Sequence, residues 1–135
     1  MEDFEWKDKF SVNVVVMDKH HKKLLEYLAE LQKELQEGDA TQKVGDTLNA
    51  LVEYTDFHFA EEERLLRAIN FPELATQVNQ HAYFTNEVHE MNKQFKQGTL
   101  PTRSVLAFLW DWFVKHITNE DHKYGEVMKR GNPLS

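Results

Sequence analysis

Histidine and carboxylate side chains recur at helical spacing where the surrounding residues are apolar. In the stretch TDFHFAEEERLL, residues 55–66, His58 stands seven residues after Leu51, and Glu62 follows four residues later. Positions three, four, seven and eleven apart share one face of an α-helix. The spacing therefore predicts a histidine and a glutamate one turn apart on a stripe that should face a core.

Three other segments also place polar groups on an apolar helical stripe. His21 stands seven residues before Leu28, and His116 stands seven residues after Leu109. The third segment has an amide and an imidazole four residues apart. The inward polar groups on these three segments are His21, Gln77, His81 and His116.

These inward groups have an ordinary interpretation and a chemical one. A lone inward histidine is usually a core residue with a hydrogen-bond partner, and a glutamate such as Glu62 can lie at the rim with its head in water. Buried imidazoles and carboxylates are costly without partners, however. Four helices that each offer an inward histidine are explained more simply by a shared metal site in the core of a bundle. The other histidines are predicted to lie at the surface or behind the ligands; they are His20, His89 and His122.

The donor types limit the metal. Imidazole and carboxylate donors without sulfur suit iron, manganese or zinc. A structural zinc site usually takes four ligands, and six or more candidates indicate two metals bridged by carboxylates. The sequence has neither the Glu-x-x-His pairs of ferritin-like bundles nor the His-Glu-x-x-His of metalloproteases.

Four segments with helical apolar periodicity must position these donors. Breaks rich in Gly, Pro and polar residues place the helices roughly at 18–37, 41–69, 72–97 and 102–130, with Pro72 at a helix start. The stretch SVNVVV, 11–16, could form a strand but has no partner strand, so residues 1–17 are predicted to form an extended arm. Short connections favour antiparallel neighbours. The prediction is an all-α protein: one domain over 1–135, an up-down-up-down four-helix bundle with an N-terminal arm.

Composition limits the class of protein. The 135 residues suit one domain, there is no cysteine, and the formal net charge is −7. The acidic balance argues against a nucleic-acid partner, and no apolar run approaches the roughly 20 residues that span a bilayer. The start lacks the apolar region of a signal peptide. We expect a cytoplasmic protein, a monomer or small homo-oligomer, without a fused output domain because the chain ends soon after the fourth helix.

Several motifs in order resemble the hemerythrins, and the bacteriohemerythrins in particular. They are FSVNVVVMDKHHKKL (10–24), HFAEEERLL (58–66), NFPEL (70–74), HAYF (81–84) and WFVKHITNED (112–121). The resemblance covers nearly the whole chain. It implies a non-haem di-iron site, held by five histidines and two bridging carboxylates, that binds O2 reversibly.

The resemblance also implies a role for each donor. His21 and His58 would bind the iron that takes O2, and His81 and His116 would bind the other iron. Glu62 would be one bridge and Asp121 the second. Asp121 comes from the resemblance alone, because helical spacing from His116 favours Glu120. The implied apolar wall of the O2 pocket is Phe59, Trp112, Phe113 and Ile117, with Trp6 as a cover.

One position departs from the family pattern. The family has His-x-x-x-His on the third helix, whereas this chain reads QVNQH, with Gln77 in place of the first histidine. The Gln77 carbonyl could ligate weakly, a water or an exogenous ion could fill the place, or the second metal could be too weakly held. We expect a di-metal site with reduced affinity at that iron. A smaller departure is His20, which stands where the family usually has Gln.

Four functions are compatible with these residues. The first is an oxygen carrier, store or delivery protein, in which His20, Gln80 or Glu61 orient the ligand imidazoles. The second is a module that senses oxygen, redox state or iron for a partner protein. The third is an oxidase or peroxidase that uses a position opened by Gln77, and the fourth is a structural bundle without metal. We rank them in that order and expect a binding protein rather than an enzyme.

Overall fold

Four long helical segments make up most of the chain. The structure, a computed structural model, describes residues 4–38 and 41–130. The first three segments are α1 (Val15–Glu37), α2 (Thr41–Ala68) and α3 (Leu74–Lys96). The fourth consists of α4 (Arg103–Lys115), a π-turn (His116–Asp121) and α5 (His122–Lys129). The described residues contain no strand, and the prediction of an all-α four-helix bundle is confirmed.

The helices pack around one apolar core. α1 packs along α2, α2 along α3, and α4 returns to α1, which closes the bundle. Each apolar stripe is buried against the others, as the helical periodicity predicts. Fully buried members of this core include Leu24, Leu28, Leu48, Leu51, Leu66, Phe84, Leu106 and Phe113.

The N-terminal arm differs from its prediction at the helix boundary. The Asp18 carboxylate accepts hydrogen bonds from the Val12 N–H at 2.9 Å and from the Ser11 hydroxyl at 2.6 Å. Because these bonds satisfy groups just before the helix, α1 begins at Val15, three residues earlier than predicted. The stretch 11–16 is therefore neither a strand nor wholly extended. The first three residues of the predicted arm, and the residues after 130, lie outside the described ranges.

The arm docks on the last helix through a glycine. A Cβ added at Gly125 would lie 2.1 Å from the Val12 carbonyl oxygen. Only a residue without a side chain permits this approach. Val12 and nearby Phe10 are both buried, so the arm forms part of the core.

The turn before α3 also differs slightly from its prediction. The Phe71 N–H donates to the Leu66 carbonyl at 2.9 Å, and Asn70 has a φ of 53°, which together end α2. Pro72 lies in this turn, and α3 begins two residues later. Among the described residues, none of the helices combines the length and apolar character needed to cross a bilayer.

Candidate metal centre

The fourth helical segment changes its hydrogen-bonding pattern where its donors lie. In a π-helix each turn takes in one more residue than in an α-helix, so residues five apart share a face. The π-turn thereby brings the His116 Nε2 atom to 3.1 Å from Asp121 Oδ1, with both side chains buried. Glu120, which α-helical spacing favours, instead approaches Lys123 at 3.4 Å on the outer side. The structure thus brings Asp121, and not Glu120, to the donors.

The donor atoms form two groups that share one residue. In each group, one ligand atom per residue lies within 4.8 Å of the others. We define the first donor group as His21, His58 and Glu62. The second donor group is Glu62, His81, His116 and Asp121. Four helices therefore converge on one buried centre.

The two carboxylates lie between the two histidine pairs. Glu62 Oε2 is 3.2 Å from His21 Nε2, and Glu62 Oε1 is 2.9 Å from His81 Nε2. Asp121 repeats the arrangement, with Oδ2 at 3.2 Å from His21 Nε2 and Oδ1 at 3.1 Å from His116 Nε2. Each carboxylate presents one oxygen to each histidine pair. This is the placement that bridging ligands between two cations require.

The hydrogen-bond inventory fits a pair of cations. The donor side chains are at most 3% exposed, yet several of their atoms have no hydrogen-bond partner among the described residues. A buried polar atom left unpaired costs roughly 1–3 kcal/mol. A set of nitrogen and oxygen donors without sulfur suits iron, manganese or zinc. The atoms at the centre without a hydrogen-bond partner include His21 Nδ1, His58 Nε2 and Gln77 Oε1.

Comparison with known proteins assigns the chain to a family. The family model described as the hemerythrin HHE cation binding domain matches residues 12–127. The chain belongs to the hemerythrin family. This membership confirms the resemblance and places the chain among binding proteins rather than enzymes.

Relatives and solved structures agree over most of the hemerythrin chain. A bacteriohemerythrin of Clostridium acetobutylicum is 32% identical over 127 residues, covering 90% of this chain and 98% of its own. A myohemerythrin of Riftia pachyptila is 28% identical, covering 90% of each chain. A crystal structure of wild-type hemerythrin superposes with a TM-score of 0.83 at 26% identity, covering 90% of this chain and 94% of its own.

In this hemerythrin, three of the imidazoles are oriented by a polar contact to Nδ1, the ring nitrogen that faces away from the carboxylates. His58 Nδ1 lies 3.0 Å from His20 Nδ1, and His116 Nδ1 lies 2.6 Å from Gln80 Oε1. His81 Nδ1 lies 2.8 Å from Glu63 Oε2. Each contact leaves Nε2 facing the carboxylates, which is the usual second layer around a metal-ligating histidine.

One predicted orienting residue is wrong. Glu61, predicted to orient one of the imidazoles, pairs with Arg64 on the surface, and the carboxylate that contacts His81 is that of Glu63. Helical periodicity shows that both residues lie off the inward stripe, but it does not indicate which one reaches across to α3. The other histidines lie outside the donor groups: His89 pairs with exposed Asp56 at 3.0 Å, and His122 is half-buried.

Gln77 is buried at the centre, where its side-chain amide donates a hydrogen bond. Its side chain is fully buried, one turn before His81 on α3. The Gln77 Nε2 amide donates to Asp121 Oδ1 at 2.9 Å. Its Oε1 atom has no hydrogen-bond partner among the described residues. The amide therefore contacts the carboxylate that lies between the histidine pairs.

Tyr124 is a site residue that the donor pattern in the sequence does not identify. Its ring is fully buried, and its hydroxyl donates to Glu62 Oε2 at 2.7 Å. A buried tyrosine usually finds a partner for its hydroxyl. The available signal was its position three residues after Asp121, which places both on one helical face.

The histidines carry charge that balances the carboxylates before any metal binds. Burial alone would lower the pKa of His21, but its hydrogen bonds to Asp121 and Glu62 outweigh burial and raise the pKa to about 9. The same competition, won by the hydrogen bond to Glu62, raises the pKa of His81. Burial lowers the pKa of His58 to about 3. At neutral pH the metal-free site therefore holds a proton on His21, while His58 is neutral, and the raised pKa of His81 favours its protonated form.

The pKa values of the two carboxylates are shifted downward. Burial alone would raise the pKa of Glu62, but the hydrogen bonds that it accepts from His21 and His81, together with the charge of His21, hold that pKa well below its usual range. The pKa of Asp121 is also lowered, because His116 and His21 offset burial and the nearby charge of Glu62. Both carboxylates are thus ionised, as bridging ligands must be.

The predicted pocket residues lie around different parts of the site. Phe113 faces the His21 and His58 rings, with centroids at 5.7 and 6.3 Å. Ile117 is fully buried on the π-turn, four residues after Phe113. Phe113 thus supplies an apolar surface next to the first donor group.

Phe59 lies between the two donor groups, because its ring stacks on His81 at 4.0 Å and also contacts the His58 ring at 5.2 Å. Trp112 stacks on His116 at 5.1 Å and so contacts the second donor group. Trp6 packs edge-on against Phe10, and the Lys22 ammonium lies 5.3 Å from its ring centroid. Trp6 is thus packed along the arm and the outer side of α1.

Proposed function

We propose that this hemerythrin is a non-haem di-iron protein that binds O2 reversibly and serves as an oxygen carrier, store or delivery protein. The observation that carries the proposal is the placement of two buried carboxylates between two buried histidine pairs. The names of the relatives support the same assignment. Cytoplasmic location and oligomeric state stay predictions.

The proposed ligand assignment follows the two donor groups. His21 and His58 would hold one iron, and His81 and His116 would hold the other. Glu62 and Asp121 each have one oxygen for either iron. When bound, the two irons supply the reversible electron exchange on which O2 binding depends.

The chain contributes orientation and a dry environment. His20, Gln80 and Glu63 fix the three imidazoles from behind, and the Tyr124 hydroxyl holds Glu62. The apolar rings around the first donor group exclude water from the side where a small neutral ligand would bind. A binding protein needs this protection, because access of water and protons promotes loss of the bound gas with oxidation of the metals.

The deciding experiment measures iron and oxygen together. Iron per chain is determined first, and the absorption spectrum of the anaerobically reduced protein is then recorded before and after O2 is added. Two irons with a new charge-transfer band that disappears on deoxygenation support the proposal. One iron or none, with no O2-dependent band, rejects it.

A sensing role is the second candidate, favoured by one surface feature. A groove with a volume of about 440 Å³ lies between the start of α1 and α2. Its lining includes exposed Val16 and Phe57 and also His20, which contacts His58. Hydrogen exchange over residues 14–20 and 57–65 tests this role. Exchange that changes when O2 binds favours sensing, and unchanged exchange favours the carrier.

A further inference from the structure

An amide that donates a hydrogen bond to a carboxylate lies beside the second donor group. Gln77 Nε2 donates to Asp121 Oδ1, the oxygen that also faces His116. An amide nitrogen carries two hydrogens and donates, whereas only the amide oxygen accepts or ligates. The end of Gln77 that reaches the bridging position is therefore a positioning donor.

The two donor groups consequently have matching sets of strong ligands. Each has two imidazoles, His21 with His58 and His81 with His116, and both draw on the oxygens of Glu62 and Asp121. An extra imidazole at residue 77 would make the second group richer. With Gln77 present, neither group has more imidazole ligands than the other.

The oxygen of the Gln77 side-chain amide suggests a place for a small ligand. Gln77 Oε1 is fully buried and has no hydrogen-bond partner among the described residues. A buried acceptor without a partner is costly, and a water molecule would satisfy it by donating a hydrogen bond to it. A water in that place would occupy the position that an imidazole at residue 77 would otherwise fill.

We propose that Gln77 positions Asp121 and that the iron of the second donor group keeps an exchangeable position, filled by water and open to a small anion. The inference rests on the proposed di-iron function. It gives the protein two exchangeable positions, one on each iron. Gln77→His closes the second position with an imidazole, and Gln77→Leu removes the amide at similar size without supplying a ligand.

The test counts anions per chain in the iron(III) protein, with azide as the probe. Iron content is measured first, and azide is then titrated by calorimetry and by its charge-transfer absorption. We expect two azides for the wild type, two for Gln77→Leu and one for Gln77→His, with the second site weakened at least tenfold in Gln77→His. A thermal melt of each variant checks that it is folded.

Three outcomes would overturn the inference in different ways. One azide in the wild type but two in Gln77→Leu would mean that the Gln77 carbonyl itself ligates the iron and closes the position. Fewer than two irons in the wild type would remove the second ion altogether, and the proposed function would fail with it. Two irons with one azide in both the wild type and Gln77→Leu reject only the exchangeable position on the second iron and leave the proposed function standing.

Discussion

Glu63 and Glu61 lie two residues apart on α2 but have different partners. Glu63 accepts from the His81 imidazole, whereas Glu61 pairs with Arg64 on the surface. A partner behind a ligand histidine fixes its orientation and raises its basicity, and its removal typically weakens metal binding about 10- to 100-fold. We expect Glu63→Gln to weaken binding of one iron by about that factor, measured by competition with a chelator.

Glu61→Gln is the matched control for this measurement. It removes one carboxylate from the same helix but leaves His81 and its partner in place. Iron affinity should stay at the wild-type value. Equal losses in the two variants would contradict a specific role for Glu63 and indicate a general effect of surface charge.

The histidine charges predict how the stability of the metal-free chain depends on pH. The pKa of His21 is about 9 in the folded chain against 6.5 in the unfolded chain, so its protonation stabilises the fold fully below pH 6.5. That contribution is lost as the pH rises through 9, and the raised pKa of His81 acts in the same direction. The His21 term alone amounts to ~3 kcal/mol at most. The melting temperature of the metal-free chain should therefore fall between pH 6.5 and 9.

Two substitutions distinguish the contribution of His21 to this pH dependence from that of other titrating groups. His21→Gln should flatten the decline between pH 6.5 and 9, whereas His89→Gln, at an exposed histidine, should preserve it. His58 does not act in this window, because its lowered pKa removes stability only below pH 6.5. A metal-free melting temperature that rises from pH 6.5 to 9 would show that the site is not charged in this way.

At the scale of the element, the π-turn decides which carboxylate reaches the metal site. Asp121→Asn removes a carboxylate that contacts both histidine pairs, and we expect the iron content to fall from two per chain to one or fewer. Glu120→Gln changes the neighbouring residue, which faces Lys123 on the outer side, and should leave the iron content unchanged. Iron analysis of the two purified variants checks this. The reverse result would mean that the fourth helix is regular in solution.

Regular helices explain which parts of the site the sequence could predict. His21, His58, Glu62 and His81 lie on uninterrupted α-helices, where apolar neighbours at spacings of three, four and seven define the inward face. Asp121 lies across a π-turn, so the same rule selects the wrong neighbour. The start of α1 was missed for a comparable reason, because the Asp18 carboxylate satisfies the chain before the apolar pattern begins.

Contacts between helices account for the residue pairs of the site that helical periodicity could not predict. The pattern on α2 shows that Glu63 lies off the inward stripe, but not that it meets His81 of α3. The hydroxyl of Tyr124 meets Glu62 across the core, and the pattern shows only a buried aromatic ring. Such pairs depend on the relative rotation and depth of two helices, which one helix's sequence does not encode.

At the scale of the whole molecule, the unpaired donors make metal a part of the fold. Several buried nitrogen and oxygen atoms lack partners among the described residues, at ~1–3 kcal/mol each. Because metal binds only the assembled site, binding adds to the free energy of unfolding. We expect the metal-free chain to melt more than about 10 °C below the iron-loaded chain. Equal melting temperatures would contradict a site assembled around metal.

The order of the metal ligands along the chain determines when each part of the centre can assemble. Every residue of the first donor group lies on α1 or α2, whereas the second group also needs α3 and the π-turn. During synthesis from the N-terminus, all the ligands of the first group leave the ribosome well before His116 and Asp121. The second carboxylate and the last imidazole arrive with the final helix, so the bridged centre becomes complete only after that helix has been synthesised.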